Sequence, residues 1–220
     1  MRKIVLSAFA GVTAMGCLGG ASLADSIVAT ARVDGVLVAT ENSADGNLNV
    51  SSQSFGPLFN LNSLSINTES FLAPPGLMST NTLDVGQNLS GIHQLVIDIV
   101  GLGLVGPGAI ESLLSSFSVS GMTAGWSARE QTFINNGLLA DTGTFSNPSD
   151  SAFSVNPALV TNPFNAEVKY TINSVGIGQF NGGIDISAAP VPGPVAGAGL
   201  PGLLGIMALA ALGSFRRKLA

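Results

Sequence analysis

The sequence predicts an all-β fold, an antiparallel β-sandwich of the jelly-roll or immunoglobulin-like kind with one short helix, between an N-terminal signal peptide and a C-terminal transmembrane helix. Three observations carry this prediction. Short segments of the central region alternate apolar and polar residues, as in 117–120, which is typical of a strand with one buried face. Turn-forming dipeptides separate these segments. Each end of the chain has an apolar segment beside basic residues.

The N-terminus has the three parts of a secretory signal peptide. Arg2 and Lys3 precede the apolar run 4–18, and a small-x-small sequence ends at Ala24, just before Asp25. Signal peptidases cleave after such a sequence. We therefore predict a signal peptide over 1–24 and a mature chain that begins at Asp25.

Cys17 supports an alternative start, as the lipidated residue of a bacterial lipoprotein. Ala14 and Met15, however, stand where such signals usually have Leu and a small residue. Cys17 is the single cysteine of the chain, so residues 25–189 can contain neither a disulfide nor a thiolate metal site.

The central region, 25–189, is long enough for one domain with its own core and shows no internal repeat or linker. Turns are predicted at Asp34-Gly35, at Asn136-Gly137 and at 181–183, because these sequences tolerate positive φ. Strands are predicted at 27–33, 36–41, 64–71, 95–100, 117–123, 126–134, 152–155, 168–175 and 183–187.

One segment of the central region, 106–116, favours a helix. Pro107 suits the first helical turn, and Ile110, Leu113 and Leu114 share one face at helical spacing. We therefore predict a helix of two to three turns that crosses between the sheets.

The charge of the central region is strongly negative. Five of the eight basic residues lie in the two terminal segments, which leaves Arg32, Arg129 and Lys169 against 13 acidic residues, a formal charge of −10 over 25–189. Binding to nucleic acid depends on clustered Lys and Arg. The composition thus argues against a nucleic-acid partner and suits a protein that stays soluble outside the cell.

Motifs for catalysis do not occur in the central region. His93 is the single histidine, so a His/Cys metal cluster is excluded. A triad of His93, Asp98 and a serine would have no local signature such as Gly-x-Ser-x-Gly, and no phosphate-binding glycine loop is present. No catalytic residue, metal site or cofactor is predicted, and we expect that the protein is not an enzyme.

A weak calcium candidate lies at 41–47. Glu41, Asn42, Asp45 and Asn47 place several oxygen ligands near one turn, although without the spacing of an EF-hand. The segment 141–150 has a similar composition. A solvated loop is the alternative interpretation in both places.

Trp126 and Tyr170 are the weak carbohydrate candidates. Their rings have a flat apolar face and a polar group, which suits stacking against a sugar. They fall on separate predicted strands, so they could also belong to the core.

The C-terminal segment 195–215 contains 21 residues without a charge. As a helix it would be about 30 Å long, enough to span a bilayer. Arg216, Arg217 and Lys218 follow at once, and such a basic cluster stays cytoplasmic, which puts the central region on the far side. The alternatives are a buried apolar helix or a disordered Gly/Ala tail.

The order of a proline-flanked motif, an apolar helix and a terminal basic cluster resembles the PEP-CTERM class of bacterial sorting signals. Here Pro192-Gly193-Pro194 stands in place of Pro-Glu-Pro, within a motif region at 190–202. The resemblance covers about 30 residues. It implies an exosortase-type membrane protease as partner, transient anchoring in the inner membrane, cleavage near the motif, and release to the cell surface or an extracellular polysaccharide matrix.

These features predict an exported structural or adhesive protein of the cell surface or extracellular matrix. The alternative is a surface module that binds carbohydrate or calcium. The expected partners are signal peptidase, the exosortase-type protease, the membrane and extracellular polysaccharide.

Overall fold

The computed structural model describes residues 26–69 and 76–189, and these residues form β-strands joined by turns and loops, with no helix. The all-β prediction is therefore confirmed for this part of the chain. The twelve strands are β1 Ser26–Val33, β2 Val36–Ser43, β3 Asn47–Phe55, β4 Phe59–Thr68, β5 Gly76–Gln87, β6 Ile92–Leu104, β7 Ala109–Met122, β8 Ser127–Ile134, β9 Gly137–Asp141, β10 Asp150–Val160, β11 Phe164–Val175 and β12 Gly178–Ala188.

The strands form two six-stranded antiparallel sheets that pack as a sandwich, which confirms the predicted antiparallel β-sandwich. Sheet I has the order β2-β1-β6-β11-β8-β9, and sheet II has the order β10-β7-β12-β5-β4-β3. Successive strands from β5 to β8 alternate between the sheets. Each sheet therefore depends on partners that are distant in sequence.

The core lies between the sheets and is built from alternate residues of their strands. In β11 every second residue is buried, including Val168 and Ile172. Leu83 and Ile184 of sheet II are fully buried as well and belong to the same hydrophobic cluster. Each such side chain contributes roughly 1.5–3 kcal/mol when it is removed from water, so one continuous core holds the two sheets together.

The predicted helix at 106–116 is wrong, because most of this segment belongs to β7. Leu113 points into the core, Leu114 is only partly buried, and Ile110 is 72 % exposed. A helix would have placed these three side chains on one face, whereas the strand puts Leu113 and Leu114 on opposite faces. Pairing with β10 and β12 on its two sides satisfies the backbone of β7 as a strand.

The turn predictions have mixed outcomes. Asp34 and Gly35 adopt positive φ of 49° and 81° and close the β1–β2 hairpin, as predicted. The next predicted turn lies one residue earlier, with positive φ at Asn135 and Asn136. The turn predicted at 181–183 is wrong, since this segment lies inside β12, where the pairing shows register irregularities.

The predicted signal peptide with its Ala24–Asp25 cleavage site, Cys17 and the sorting tail at 190–220 lie outside the described residues. No helix long and apolar enough to cross a membrane was found in 26–69 and 76–189.

Candidate functional site

The outer surface of sheet I carries every Lys and Arg of the described residues. Asp98 accepts from Arg32 Nη1 at 3.0 Å and lies 3.3 Å from Lys169 Nζ. Arg129 Nε donates to Asp141 Oδ1 at 3.0 Å. All three cations are therefore neutralised by carboxylates on the same face.

Along the edge formed by β10 and the start of β7, the outer surface of sheet II exposes the apolar side chains of Ile110, Phe153, Val155 and Leu159. Over its remaining strands the side chains of this surface are hydroxyls, amides and a few carboxylates, joined by cross-strand hydrogen bonds. We call this polar part of the surface the serine–asparagine face. Its exposed hydrogen-bonded pairs are Ser65 with Asn49 (2.8 Å), Asn62 with Asp84 (3.0 Å), Ser120 with Asn181 (2.9 Å) and Ser79 with both Asn81 and Asp185.

An open depression of about 420 Å³ lies at one end of this face, where β4, β5 and β12 are neighbours. We call it the amide depression. Its lining contains no charged side chain and consists of Asn60, Asn62, Gly86, Gln87, Asn88, Thr123, Ile177, Gly178 and Gln179. Amide and hydroxyl groups of this kind donate and accept hydrogen bonds at once.

Two further depressions were found on the described surface. One, of about 500 Å³, is an apolar groove between β9 and β10 with Leu138 and Leu159 in its wall. The other, of about 260 Å³, lies on the serine–asparagine face around Asn49, Ser51 and Ser65. Neither they nor the amide depression contain an Asp, Glu, His, Lys or Arg in their lining. None of the three thus offers a general acid or base.

Trp126 and Tyr170 do not form the sugar-stacking surface that the sequence suggested. Trp126 is 1 % exposed and Tyr170 is fully buried. The Tyr170 hydroxyl pairs with Thr80 Oγ1 at 2.6 Å inside the core, and its ring packs edge-to-face on Phe180. Both rings are core residues, so neither can present a face to a ligand at the surface.

The calcium candidates at 41–47 are occupied by contacts within the protein. Glu41 Oε1 accepts from Gln53 Nε2 at 2.8 Å in the middle of β2. Asp45 Oδ1 accepts from the Asn47 backbone N–H at 3.1 Å and from the Ser43 hydroxyl, which closes the β2–β3 turn. These hydrogen bonds hold the pKa of Asp45 below its usual range.

The second loop, 141–150, is also engaged. Asp141 is bound to Arg129, and Asp150 accepts from Asn147 Nδ2 at 3.2 Å. Among the residues with described positions, no group of three or more His, Cys, Asp or Glu side chains is placed to hold a metal ion. Within these residues, the fold therefore does not gather the carboxylates of either loop into a group that could bind a metal ion.

His93 and Asp98 are not associated. His93 Nδ1 lies 2.8 Å from Asp34 Oδ2, while Asp98 binds Arg32 and Lys169. The Gln94 backbone N–H and His93 both lower the pKa of Asp34. This pair fixes the β1–β2 turn to the start of β6, and no triad forms with Asp98.

Sequence reasoning missed Glu130, a carboxyl group buried in the core. It points inward from β8 and is fully buried, and burial raises its pKa to about 9. Its two carboxyl oxygens have no hydrogen-bond partner within the described residues, and the nearby Ser118 backbone offsets the effect of burial only in part. The alternation of β8 was the available signal, because it puts residue 130 on the same face as Ala128 and Thr132.

Comparison with known proteins identifies no family. No protein-family model and no curated protein sequence matches the chain. Among solved structures it is similar to TmCBM61 in complex with β-1,4-galactotriose, with a TM-score of 0.37 and 9 % identity over 57 % of this chain and 82 % of that one. It is also similar to a GH31 α-xylosidase from Xanthomonas citri, with a TM-score of 0.23 and 8 % identity. This match covers 75 % of the present chain and 18 % of the xylosidase. Similarity at this level carries no argument about function.

Proposed function

We propose that the chain is an exported, non-catalytic structural and adhesive protein of the cell surface or extracellular matrix, and that its serine–asparagine face contacts neutral polysaccharide. The observation that supports this most directly is the chemistry of that face. Its hydroxyl and amide side chains are already hydrogen-bonded across the strands, as Ser120 is to Asn181 and Ser65 to Asn49. A surface with these groups suits a partner that is rich in hydroxyls.

Because the described residues of this face include no Lys or Arg, it favours a neutral polysaccharide over an anionic one. Among the described residues, Arg32, Arg129 and Lys169 are the only Lys and Arg, and each pairs with a carboxylate on sheet I. An anionic polymer would meet Asp84 and Asp185 with no cation to offset them. A neutral polymer avoids this repulsion.

Hydrogen bonds to sugar hydroxyls are individually weak, because water competes for the same groups. Cross-strand bonds hold the side chains in place before binding, which lowers the entropy cost of ordering them. A polymer also offers the same hydroxyl pattern many times, and several weak contacts on one molecule add through effective concentration. Adhesion of moderate strength is the expected result.

We further propose that the two terminal segments direct export and sorting of the protein. Signal peptidase would cut before Asp25, and the segment 195–215 would hold the precursor in the inner membrane with its basic end in the cytoplasm. An exosortase-type protease would then release the body to the surface or matrix. The proposal involves no catalytic residue and no cofactor, and nucleic acid is not a partner.

Affinity electrophoresis in gels that contain neutral or anionic polysaccharides tests the proposal, with protein recovered from cells that export it. We expect retardation in neutral gels only. The double variant Ser118→Val and Ser120→Val, which removes two exposed hydroxyls from the face, should reduce the retardation. Thr30→Val with Thr171→Val on sheet I is the matched control and should leave it unchanged. Absence of retardation in every neutral gel would refute the proposed function.

A further inference from the structure

We infer that the amide depression is a subsite that seats one neutral sugar unit of the polysaccharide, an inference that rests on the proposed function. Its volume of about 420 Å³ falls within the roughly 300–1,000 Å³ of small-molecule sites.

The polar groups of the depression are held in defined positions. Asn62 Nδ2 donates to Asp84 Oδ1 at 3.0 Å, which leaves the Asn62 carbonyl oxygen as an acceptor. Thr123 Oγ1 accepts from the Gln179 backbone N–H at 2.9 Å, so its hydroxyl hydrogen can be donated. The depression thus presents at least one fixed acceptor and one donor, which is what a sugar hydroxyl pair requires.

Gln87 also lines the depression, but its side chain lies on the core side of β5 with Leu83 and Val85, opposite the outward-facing Gly86. Gln87 is 2 % exposed, and its Nε2 donates to Leu89 O at 2.6 Å and to Gly91 O at 3.3 Å. Its Oε1 is buried and has no hydrogen-bond partner among the described residues. A buried acceptor without a donor costs about 1–3 kcal/mol. This cost arises on the core side of β5, so Asn62, Thr123 and Ile177, and not Gln87, are the side chains that would meet the sugar.

Two glycines keep the depression open. Gly86 and Gly178 lie on the neighbouring strands β5 and β12, where Gly178 is the register partner of Gln87 and Gly86 that of Gln179. A Cβ at Gly178 would lie 2.5 Å from Thr123 Oγ1, so no side chain fits there without a shift. A Cβ at Gly86 would lie 3.6 Å from its nearest neighbour, Gly178 O. A side chain at residue 86 therefore fits the fold and fills the depression.

Ile177 supplies the apolar wall. It lines the depression and is 69 % exposed. The rings of neutral sugars have apolar C–H faces, which an exposed isoleucine can cover and remove from water. The lining has no cation for an acidic sugar, and Asp84 lies directly behind Asn62. The ligand class is therefore an uncharged hexose or pentose unit.

The experiment uses the full chain in a detergent without a sugar headgroup, with neutral tetrasaccharides of glucose, mannose, galactose and xylose and with tetragalacturonate as the acidic probe. Saturation-transfer NMR and titration report binding. We expect one or more neutral probes to bind and the acidic probe not to bind. Gly86→Val should weaken binding at least tenfold, and Asn62→Ala should weaken it several-fold.

The matched control is Gly121→Val on β7, a strand glycine outside the depression whose Cβ would have only one neighbour, at 3.8 Å. Its affinity should equal that of the unmodified chain. Circular dichroism of each variant checks the fold, and Asn62→Ala keeps the test valid if Gly86→Val does not fold.

The two proposals fail in different ways. Retardation by neutral polysaccharide that persists unchanged in Gly86→Val and Asn62→Ala would overturn the subsite and leave the proposed function standing. Binding of tetragalacturonate alone would overturn the neutral ligand class. Absence of binding to every neutral polymer and probe would overturn both.

Discussion

Glu130 is a carboxyl group that the fold buries in its core. It points into the core from β8, opposite Tyr170 on β11 in the strand register, and a Cβ at Gly182 of sheet II would lie 3.0 Å from its Oε1. Burial also raises the pKa of Tyr170, with Glu130 a smaller contributor in the same direction. Both groups are thus kept neutral in the folded protein at ordinary pH.

The first prediction concerns pH and Glu130. Because burial raises the pKa from 4.5 to about 9, the folded state keeps the proton between these values while the unfolded state loses it. The Glu130 contribution to the free energy of unfolding is therefore most favourable below pH 4.5. It falls as the pH rises toward 9, by about 1.4 kcal/mol per pH unit. Glu130→Gln cannot ionise and should remove this decline, so it should stabilise the protein at pH 8 relative to the unmodified chain.

Urea unfolding of both proteins at pH 5, 6, 7 and 8 measures this effect. The gap between the two unfolding free energies should widen in favour of Glu130→Gln as pH rises. Parallel curves over this range would show that Glu130 is ionised in the folded protein or accessible to water.

At the scale of elements, the link between β6 and β7 shows how closely the strands approach one another. Gly106 lies in this link, next to the end of β10 and the start of β11. A Cβ at this position would lie 2.2 Å from Thr161 O, 2.8 Å from Val160 Cγ1 and 3.0 Å from Phe164 Cδ1. The first of these atoms is backbone and cannot move without displacing the connection between β10 and β11.

The second prediction follows from this contact. Gly106→Ala should destabilise the protein by about 1–3 kcal/mol, the usual cost of overpacking a core. Gly86→Ala is the matched control, since its Cβ meets nothing closer than 3.6 Å and should change stability little. Chemical unfolding of the two variants gives the comparison, and equal midpoints would contradict the packing at residue 106.

Individual elements also show how far the sequence could predict the fold. β1, β8 and β11 alternate clearly, and their predictions at 27–33, 126–134 and 168–175 agree with the structure to within a few residues. β3 and β5 were missed because Ser, Asn and Gly dilute their apolar pattern, and β9 was missed because its five residues are too few to show an alternation. β7 was mistaken for a helix in its first half, because the spacing of Ile110, Leu113 and Leu114 fits a helix as well as a strand when neighbours are unknown.

At the scale of the whole molecule, the two outer faces differ in charge. Sheet I carries Arg32, Arg129 and Lys169 with their carboxylate partners. The serine–asparagine face carries no Lys or Arg among the described residues. The last described residue, Ala189, donates its backbone N–H to Ser112 O of β7 at 2.9 Å. The chain therefore leaves the domain from sheet II on its way to the proposed sorting tail.

The third prediction concerns that tail. Replacing Arg216, Arg217 and Lys218 together by Gln should weaken retention of the segment 195–215 in the membrane, because these charges oppose translocation of its end. Deleting 190–194 should leave the anchor in place and prevent cleavage, so the precursor should stay membrane-bound at full length. Cell fractionation with intact-mass measurement distinguishes the two variants. Unmodified mature protein that still ends at Ala220 would instead indicate a permanent single-span anchor.

The sequence by itself determined the all-β class, the antiparallel sandwich and the negative charge of the central region, because alternation and composition are local properties that need no partner. Only the tertiary structure decided which side chains meet. It buried Trp126 and Tyr170, engaged Asp45 and Glu41 within the protein, and gathered amides from β4, β5 and β12 into one depression. These outcomes depend on the order of strands in the sheets and on burial between them, and both are set by contacts between residues far apart in the chain.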